Sequence, residues 1–283
     1  MATDMPPFQP DGHRHPRHRP RRSRGFPALP IRSLIPNSLT VLALCAGLTA
    51  IRFGLEGRYE TAVAAIIVAS VFDALDGRIA RFLKGTTRFG AELDSIVDSL
   101  NFGVAPVILL YLWSLNQIGG LGWIAVLAFA VCCVLRLARF NVALDDPDQP
   151  AWTGNYFVGV PAPGGAALVM LPFFLTFLGI PGLQDVPLLL AAHCVFVAFL
   201  MVSRVPTFSG KRVGFRIRRD MILPILLGVG LFAAILINFP WITFSVLGVT
   251  YLGSIPVSMW RYRQHQHRTA MPEEERQPEN ELG

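Results

Sequence analysis

Long apolar segments recur along this 283-residue chain. Each is close to the roughly 20 residues that an α-helix needs to cross the hydrocarbon core of a bilayer. Lipid offers no partners for backbone N–H and C=O groups, so such segments must be helical. With 52% hydrophobic and 16% charged residues, an ordinary soluble domain and a disordered chain are both excluded. We predict an all-α, polytopic membrane helix bundle of about eight transmembrane helices, at 37–55, 61–82, 90–114, 121–141, 161–180, 187–206, 221–238 and 240–260.

The positive charges follow the predicted connections. Of the 25 lysines and arginines, all but Arg52 and Arg58 fall on one side of an eight-span arrangement, which leaves 23 on that side. By the positive-inside rule, both termini face the cytoplasm. The net charge of +6 is therefore mainly topological, and it is divided among separate loops rather than collected on one face. This distribution argues against nucleic acid as a partner.

Two pairs of aspartates lie inside the second and third predicted spans. Asp73 and Asp76 share one face of the second helix, and Asp94 and Asp98 share one face of the third. A short connection makes these helices antiparallel neighbours, so the pairs converge near the cytoplasmic end. Carboxylates at membrane depth are costly, and hard oxygen ligands suit Mg²⁺ or Mn²⁺, here two ions. The alternative is that the aspartates form salt bridges with arginines nearby, such as Arg78 and Arg81.

Small and basic residues accompany the aspartates. Gly77, Ala80 and Gly90 keep the helix faces shallow where a bulky ligand would approach, although tight helix packing alone would also favour them. Arg81 and Lys84 can meet phosphate charge, although topology alone also places cations here.

Residues Asp73 to Asp98 fit the pattern D-x2-D-G-x2-A-R-x8-G-x3-D-x3-D. This pattern resembles the signature of the CDP-alcohol phosphatidyltransferase family. The resemblance implies a helical membrane enzyme that moves a phosphatidyl group from a CDP-linked lipid to an alcohol and releases CMP. It also implies that the four aspartates hold two divalent ions and that Asp98 is the catalytic base. The CDP-lipid would then contact Gly77, Ala80, Arg81, Lys84 and Gly90.

Segments around this core indicate the acceptor alcohol. Residues 35–47, 98–106, 136–141 and 156–166 resemble the membrane-embedded bacterial phosphatidylserine synthases within the family. The resemblance implies CDP-diacylglycerol and L-serine as substrates, a bacterial cytoplasmic membrane with the site on its cytoplasmic side, and a possible homodimer. Two alternatives stay open: a sister enzyme with glycerol 3-phosphate, choline or inositol phosphate as acceptor, and a divalent cation transporter.

Four further polar residues complete the predicted site. Arg136 and Arg139, one turn apart, would bind the carboxylate of serine, although they could be topological cations. Asn101 would bind a small polar acceptor. Asn37 and Thr40 would contact the nucleotide or the metal environment, with helix capping by Asn37 as the alternative.

The chain divides accordingly into four parts. We expect a disordered basic tail at 1–30, a six-span catalytic core at 33–206, a basic cytoplasmic loop with two more spans at 207–262, and a polar disordered tail at 263–283.

Overall fold

The computed structural model describes residues 31–144, 156–203, 206–208 and 221–270. The expected tail at 1–30, most of the basic loop after the sixth span, and residues 271–283 lie outside this part of the chain. Ten α-helices are described: α1 (Ile31–Leu55), α2 (Tyr59–Phe82), α3 (Arg88–Asp98), α4 (Ala105–Trp113), α5 (Gly120–Leu144), α6 (Ala162–Val169), α7 (Leu171–Phe177), α8 (Pro187–Val202), α9 (Ile222–Asn238) and α10 (Pro240–Ala270). Short 3₁₀ turns at Leu115–Ile118 and Leu183–Asp185 join some of them.

Helices α1, α2 and α3 form the frame of the site. Helix α1 packs along α2, and α3 returns against α1. A Cβ on Gly90 of α3 would meet Asn37 near the start of α1, and a Cβ on Gly47, deeper in α1, would meet Asn101 beyond α3. The contacts advance in the same direction along both segments, so α1 and α3 run parallel. Helix α2 packs along α1 and connects the two.

The third predicted span, 90–114, corresponds to the helical segment Arg88–Trp113, but the hydrogen-bonding pattern of the helix changes within it. A π-helical turn at Ser99–Val104 separates α3 from α4. Such turns carry i→i+5 hydrogen bonds and change the face that later residues present. Asn101, which the sequence placed on the aspartate face, lies within this turn.

Proline divides the fifth predicted span into α6 and α7. Pro172 has no N–H, so the carbonyl of Leu168 lacks its usual α-helical donor. His193 of α8 supplies a ring N–H to that carbonyl at 2.9 Å. Below the break, Trp113 and Phe173 pack with ring centroids 4.6 Å apart. The break is therefore stabilised by a side chain from the neighbouring helix.

One small two-stranded sheet accompanies the helices, and the fold remains that of a helical bundle. Strand β1 (Tyr156–Val158) pairs antiparallel with β2 (Pro206–Phe208), with Phe157 opposite Thr207. Gly159 follows β1 with φ +82°, and a Cβ there would lie 2.5 Å from the carbonyl oxygen of Met201. Only glycine fits this crossing without strain.

Three described helical segments are long and apolar enough to cross a membrane: Leu34–Leu55, Arg88–Trp113 and Gly120–Ala143. A fourth candidate is the pair α9 and α10, which is bent by 112°. The protein is thus an apolar helical bundle of the membrane type, while the number eight and the side of the termini stay predictions. Helix α10 reaches Ala270, so residues 263–270 are helical, contrary to the expected disordered tail.

Candidate active site

Three carboxyl groups meet where the end of α2 faces α3. Asp73, Asp76 and Asp94 each offer an oxygen within 4.8 Å of the others. Among the described residues, ion pairs join Arg52 and Arg58 to Glu56 at the opposite end of α1, and none involves these aspartates. The salt-bridge alternative therefore finds no support there. Oxygen donors of this density and charge fit a hard divalent cation such as Mg²⁺ or Mn²⁺.

Thr40 of α1 fixes one of these carboxylates. Its hydroxyl donates to Asp76 Oδ2 at 2.6 Å, and both residues are buried. Hydrogen bonds to a metal-binding carboxylate orient it and tune its affinity. Thr40 is therefore placed as a supporting residue of the carboxylate cluster.

Asp98 lies one turn deeper in α3 and outside the group of three. Its carboxyl group is close enough to that of Asp73 for the two charges to interact. Its Oδ1 atom is buried, and it has no hydrogen-bond partner within the described ranges. An acceptor atom in this state is available to a proton or a cation.

A cleft of about 160 Å³ opens beside the carboxylates, and we call it the mouth. Of the predicted residues, it includes Asn37, Thr40, Asp76, Gly77, Ala80, Gly90 and Asp94. Gly85, Thr86 and Thr87 also line it and belong to the 82–89 connection, which the sequence places beside the nucleotide; Pro36 and Ala91 were not predicted. The sequence does offer a reason to expect Thr87 here, because threonine is a common N-cap residue and Thr87 directly precedes α3. Its Oγ1 accepts a hydrogen bond from the N–H of Gly90 at 3.0 Å.

The two glycines of the motif have different surroundings. A Cβ on Gly77 would meet nothing within 4 Å, so this glycine leaves open space in the mouth. A Cβ on Gly90 would come 2.8 Å from Asn37 Oδ1 and 3.2 Å from Thr87 Oγ1. Gly77 thus makes room for a ligand, whereas Gly90 lets α1 and α3 approach.

Arg81 and Lys84 are exposed and are not among the residues that line the mouth. Arg81 Nε donates to the carbonyl of Gly77 at 3.0 Å, so its guanidinium lies along the last turn of α2. Lys84 ends that helix with φ +49°. Arg81 and Lys84 would therefore make their predicted contacts with the nucleotide from the outer edge, or rim, of the mouth.

A second polar group lies deeper, and we call it the floor: Asp98, Asn101 and Arg136. Asn101 is 1% exposed, and neither its Oδ1 nor its Nδ2 has a partner in the described segments. Arg136 of α5 is 8% exposed, its charge is close enough to interact with that of Asp98, and its Nε is also without a partner there. Buried polar atoms are normally hydrogen-bonded, so these atoms point to a ligand.

Arg139, the other predicted acceptor residue, has a different position. It is exposed, and its Nη1 donates to the carbonyl of Val202 at 3.0 Å, at the last residue of α8. Cations at helix C-termini stabilise the unpaired carbonyls. The structure separates the two arginines that the sequence had grouped.

Fold and site together define a helical membrane protein with a clustered carboxylate centre of the metal-binding kind. The chain belongs to the CDP-alcohol phosphatidyltransferase family, whose model matches residues 33–201. A second model, CDP-alcohol phosphatidyltransferase 2, matches residues 220–256. The family consists of transferases, and this chain is one of them.

Curated relatives are similar over most of the chain. A protein of Mycobacterium leprae is 40% identical over 230 residues, covering 81% of this chain and 76% of the relative. One from Mycobacterium tuberculosis is 37% identical, with 85% and 82% covered. One from Helicobacter pylori is 29% identical, with 69% and 81% covered. All three are named CDP-diacylglycerol–serine O-phosphatidyltransferase.

Proposed function

We propose that this chain is a phosphatidylserine synthase, which transfers the phosphatidyl group of CDP-diacylglycerol to the hydroxyl of L-serine and releases CMP. The observation that carries the proposal is the arrangement of the floor. A carboxylate oxygen suited to accept a proton, a buried guanidinium and a buried amide lie together beneath a carboxylate cluster. The names of the relatives support serine as the acceptor.

The mouth would receive the nucleotide part of the lipid. Gly77 and Ala80 leave space beside the carboxylates, and Asn37 and Thr40 present polar groups from α1. Arg81, Lys84 and the backbone around Gly90 would meet the phosphates at the rim. The acyl chains would stay in the inner leaflet, because the apolar outer faces of α1 and α5 contact lipid there.

Asp73, Asp76, Asp94 and Asp98 would hold Mg²⁺ or Mn²⁺, in our proposal two ions. When bound, divalent ions offset the charge of pyrophosphate oxygens and of the leaving CMP. Thr40 holds Asp76 in position for this role. The four carboxylates would otherwise repel one another in a medium of low dielectric constant.

Asp98 would act as the general base. Its Oδ1 takes the proton of the serine hydroxyl as that oxygen attacks the phosphorus attached to diacylglycerol. The new P–O bond joins serine to the phosphatidyl group, and the bond to the CMP oxygen breaks. Arg136 would pair with the serine carboxylate and Asn101 with its remaining polar groups, so that the hydroxyl points at Asp98.

We also propose eight spans with both termini in the cytoplasm of a bacterial cell, and a site on the cytoplasmic side of the inner membrane. Support comes from the cations at the same end of the bundle as the mouth, where Arg78, Arg81, Lys84 and Arg88 lie. The positive-inside rule assigns this end to the cytoplasm. A homodimer and the division into a six-span core and a two-helix extension stay predictions.

The test is an acceptor screen with the purified full-length chain in CDP-diacylglycerol micelles. With Mg²⁺ or Mn²⁺ present, L-serine should drive CMP release and phosphatidylserine formation, and chelation should stop both. Preference for glycerol 3-phosphate, choline or inositol phosphate would reassign the chain to a sister enzyme. Metal uptake by proteoliposomes without CDP-diacylglycerol would instead favour the transporter alternative.

A further inference from the structure

Gly47 lies against the floor from the side of α1. It is buried, and a Cβ at this position would overlap Asn101 Oδ1 and come 3.3 Å from Leu100 Cδ2. Gly47 is seven residues after Thr40, so both project from the same face of α1. The space that Gly47 leaves is therefore filled by the side chain of Asn101.

The opposite side of the same turn is also in close contact. A Cβ on Gly103 would lie 3.2 Å from both Cβ and Sγ of Cys133 on α5. The π-helical turn is thus confined between α1 and α5, with glycine at each point of closest approach. Asn101 has little freedom to move if Gly47 acquires a side chain, because the interior of the bundle is close-packed.

The amide of Asn101 is costly to bury without partners. Burying an amide without a hydrogen-bond partner is unfavourable, because the group loses its hydrogen bonds to water and gains none in return. Neither polar atom is satisfied by the described residues, and the side chain is 1% exposed. Hydrogen bonds from a small polar ligand would remove this unfavourable burial, so the Asn101 amide is suited to bind such a ligand.

We infer that Gly47 is a positioning residue, which holds the Asn101 amide where it can bind the polar groups of the acceptor. This inference rests on the proposed function, and it adds a residue on α1 that touches no substrate. A side chain at position 47 would displace the amide and weaken binding of the acceptor, without affecting binding of the CDP-lipid in the mouth.

The first experiment compares Gly47→Ala with Gly54→Ala in the full-length protein. Gly54 is the matched control, because it lies seven residues further along the same face and a Cβ there would meet Leu109 Cδ2, outside the site. Gly47→Ala should raise the KM for serine about tenfold, the effect of roughly one hydrogen bond, and leave the KM for CDP-diacylglycerol within about twofold. Gly54→Ala should reduce thermal stability and leave both KM values near wild type.

The second experiment adds Asn101→Ala and the double variant Gly47→Ala/Asn101→Ala. If Gly47 acts through Asn101, the double variant should have the serine KM of Asn101→Ala alone. If Gly47→Ala alone fails to fold, the double variant should still fold, because the amide that the new Cβ would overlap has been removed. Independent, multiplying effects on KM, or a double variant that still fails to fold, would overturn the inference.

Failure of the proposed function is visible separately. Wild-type protein that releases no CMP with L-serine refutes the serine acceptor before any variant is made. Wild-type protein that uses serine, together with a folded Gly47→Ala variant of unchanged serine KM, refutes only the role of Gly47.

Discussion

At both the mouth and the floor of the site, a glycine allows an asparagine of the neighbouring segment to approach closely. The two regions differ in whether their polar groups have hydrogen-bond partners in the protein. At the mouth, Gly90 of α3 allows Asn37 of α1 to approach, and at the floor Gly47 of α1 allows Asn101 to approach. Near the mouth, two polar groups bond within the protein: Thr40 donates to Asp76, and Thr87 accepts from the N–H of Gly90. At the floor, atoms of Asp98, Asn101 and Arg136 are buried without partners among the described residues.

This difference separates two kinds of polar residue. A polar group that is already bonded to the protein supports geometry, and its loss should weaken the site gradually. A buried group without a protein partner is costly until a ligand binds, so its loss should affect turnover or acceptor affinity directly. The predictions below test this division.

The largest effect should come from the floor. Asp98→Asn keeps the shape of the side chain and removes the proton acceptor, so CMP release should fall at least about a hundredfold. The assay is serine-dependent CMP release at saturating substrates. Asp185→Asn, exposed in the turn before α8, is the matched control. Near-wild-type turnover of Asp98→Asn would exclude the role of base.

The two arginines should differ in the next test. Arg136→Gln should raise the KM for serine about 10- to 100-fold, because charge-assisted hydrogen bonds contribute about 1.5–3 kcal/mol. Arg139→Gln should raise it less, because this guanidinium already bonds the end of α8. Arg52→Gln, at the far end of α1, controls for the loss of charge. Larger effects at Arg139 would reverse the assignment of the acceptor carboxylate.

A bonded residue at the mouth should produce a graded change. Thr40→Val removes the hydroxyl that orients Asp76, and the concentration of Mn²⁺ or Mg²⁺ for half-maximal activity should rise about tenfold. Thr40→Ser should restore the wild-type value. The serine KM at saturating metal should stay unchanged, and a change there would contradict the separation of mouth from floor.

The smallest catalytic effect should come from a bonded group outside both regions. His193→Phe removes the donor to the Leu168 carbonyl and should destabilise the fold by about 1–3 kcal/mol. A thermal unfolding assay in detergent would measure the loss, with His193→Gln as a partial rescue. Turnover per folded molecule should be unchanged, and a change in the serine KM would extend the floor to α8.

Much of the site could be predicted because its spacing is local. Asp73 and Asp76 lie on one helical face, and a short connection brings them to Asp94, so periodicity and chain length suffice to place the carboxylate cluster. The helical segments follow equally from the length of the apolar runs. The sequence also led us to expect that Gly77 leaves space for a ligand, and a Cβ at this position would indeed meet no atom within 4 Å.

Other features depend on contacts between distant segments. The local sequence does not distinguish Arg136 from Arg139. The difference arises because Arg139 bonds the carbonyl of Val202 at the end of α8, which is 63 residues away in the chain. The π-helical turn packs against α1 and α5, and these contacts are not visible in the local sequence. The short sheet joins segments on either side of α6 to α8, beyond the reach of periodicity.

The parallel course of α1 and α3 sets the depth to which an acceptor must travel. Asn37 and Gly47 are ten residues apart, which corresponds to roughly 15 Å of helix. That is about half the thickness of a hydrocarbon core. A zwitterion such as serine crosses this distance only along polar, hydrated surface. If the acceptor binds at the floor as proposed, it is held two to three turns of α1 below the level of Asn37, where only polar side chains and water can solvate it.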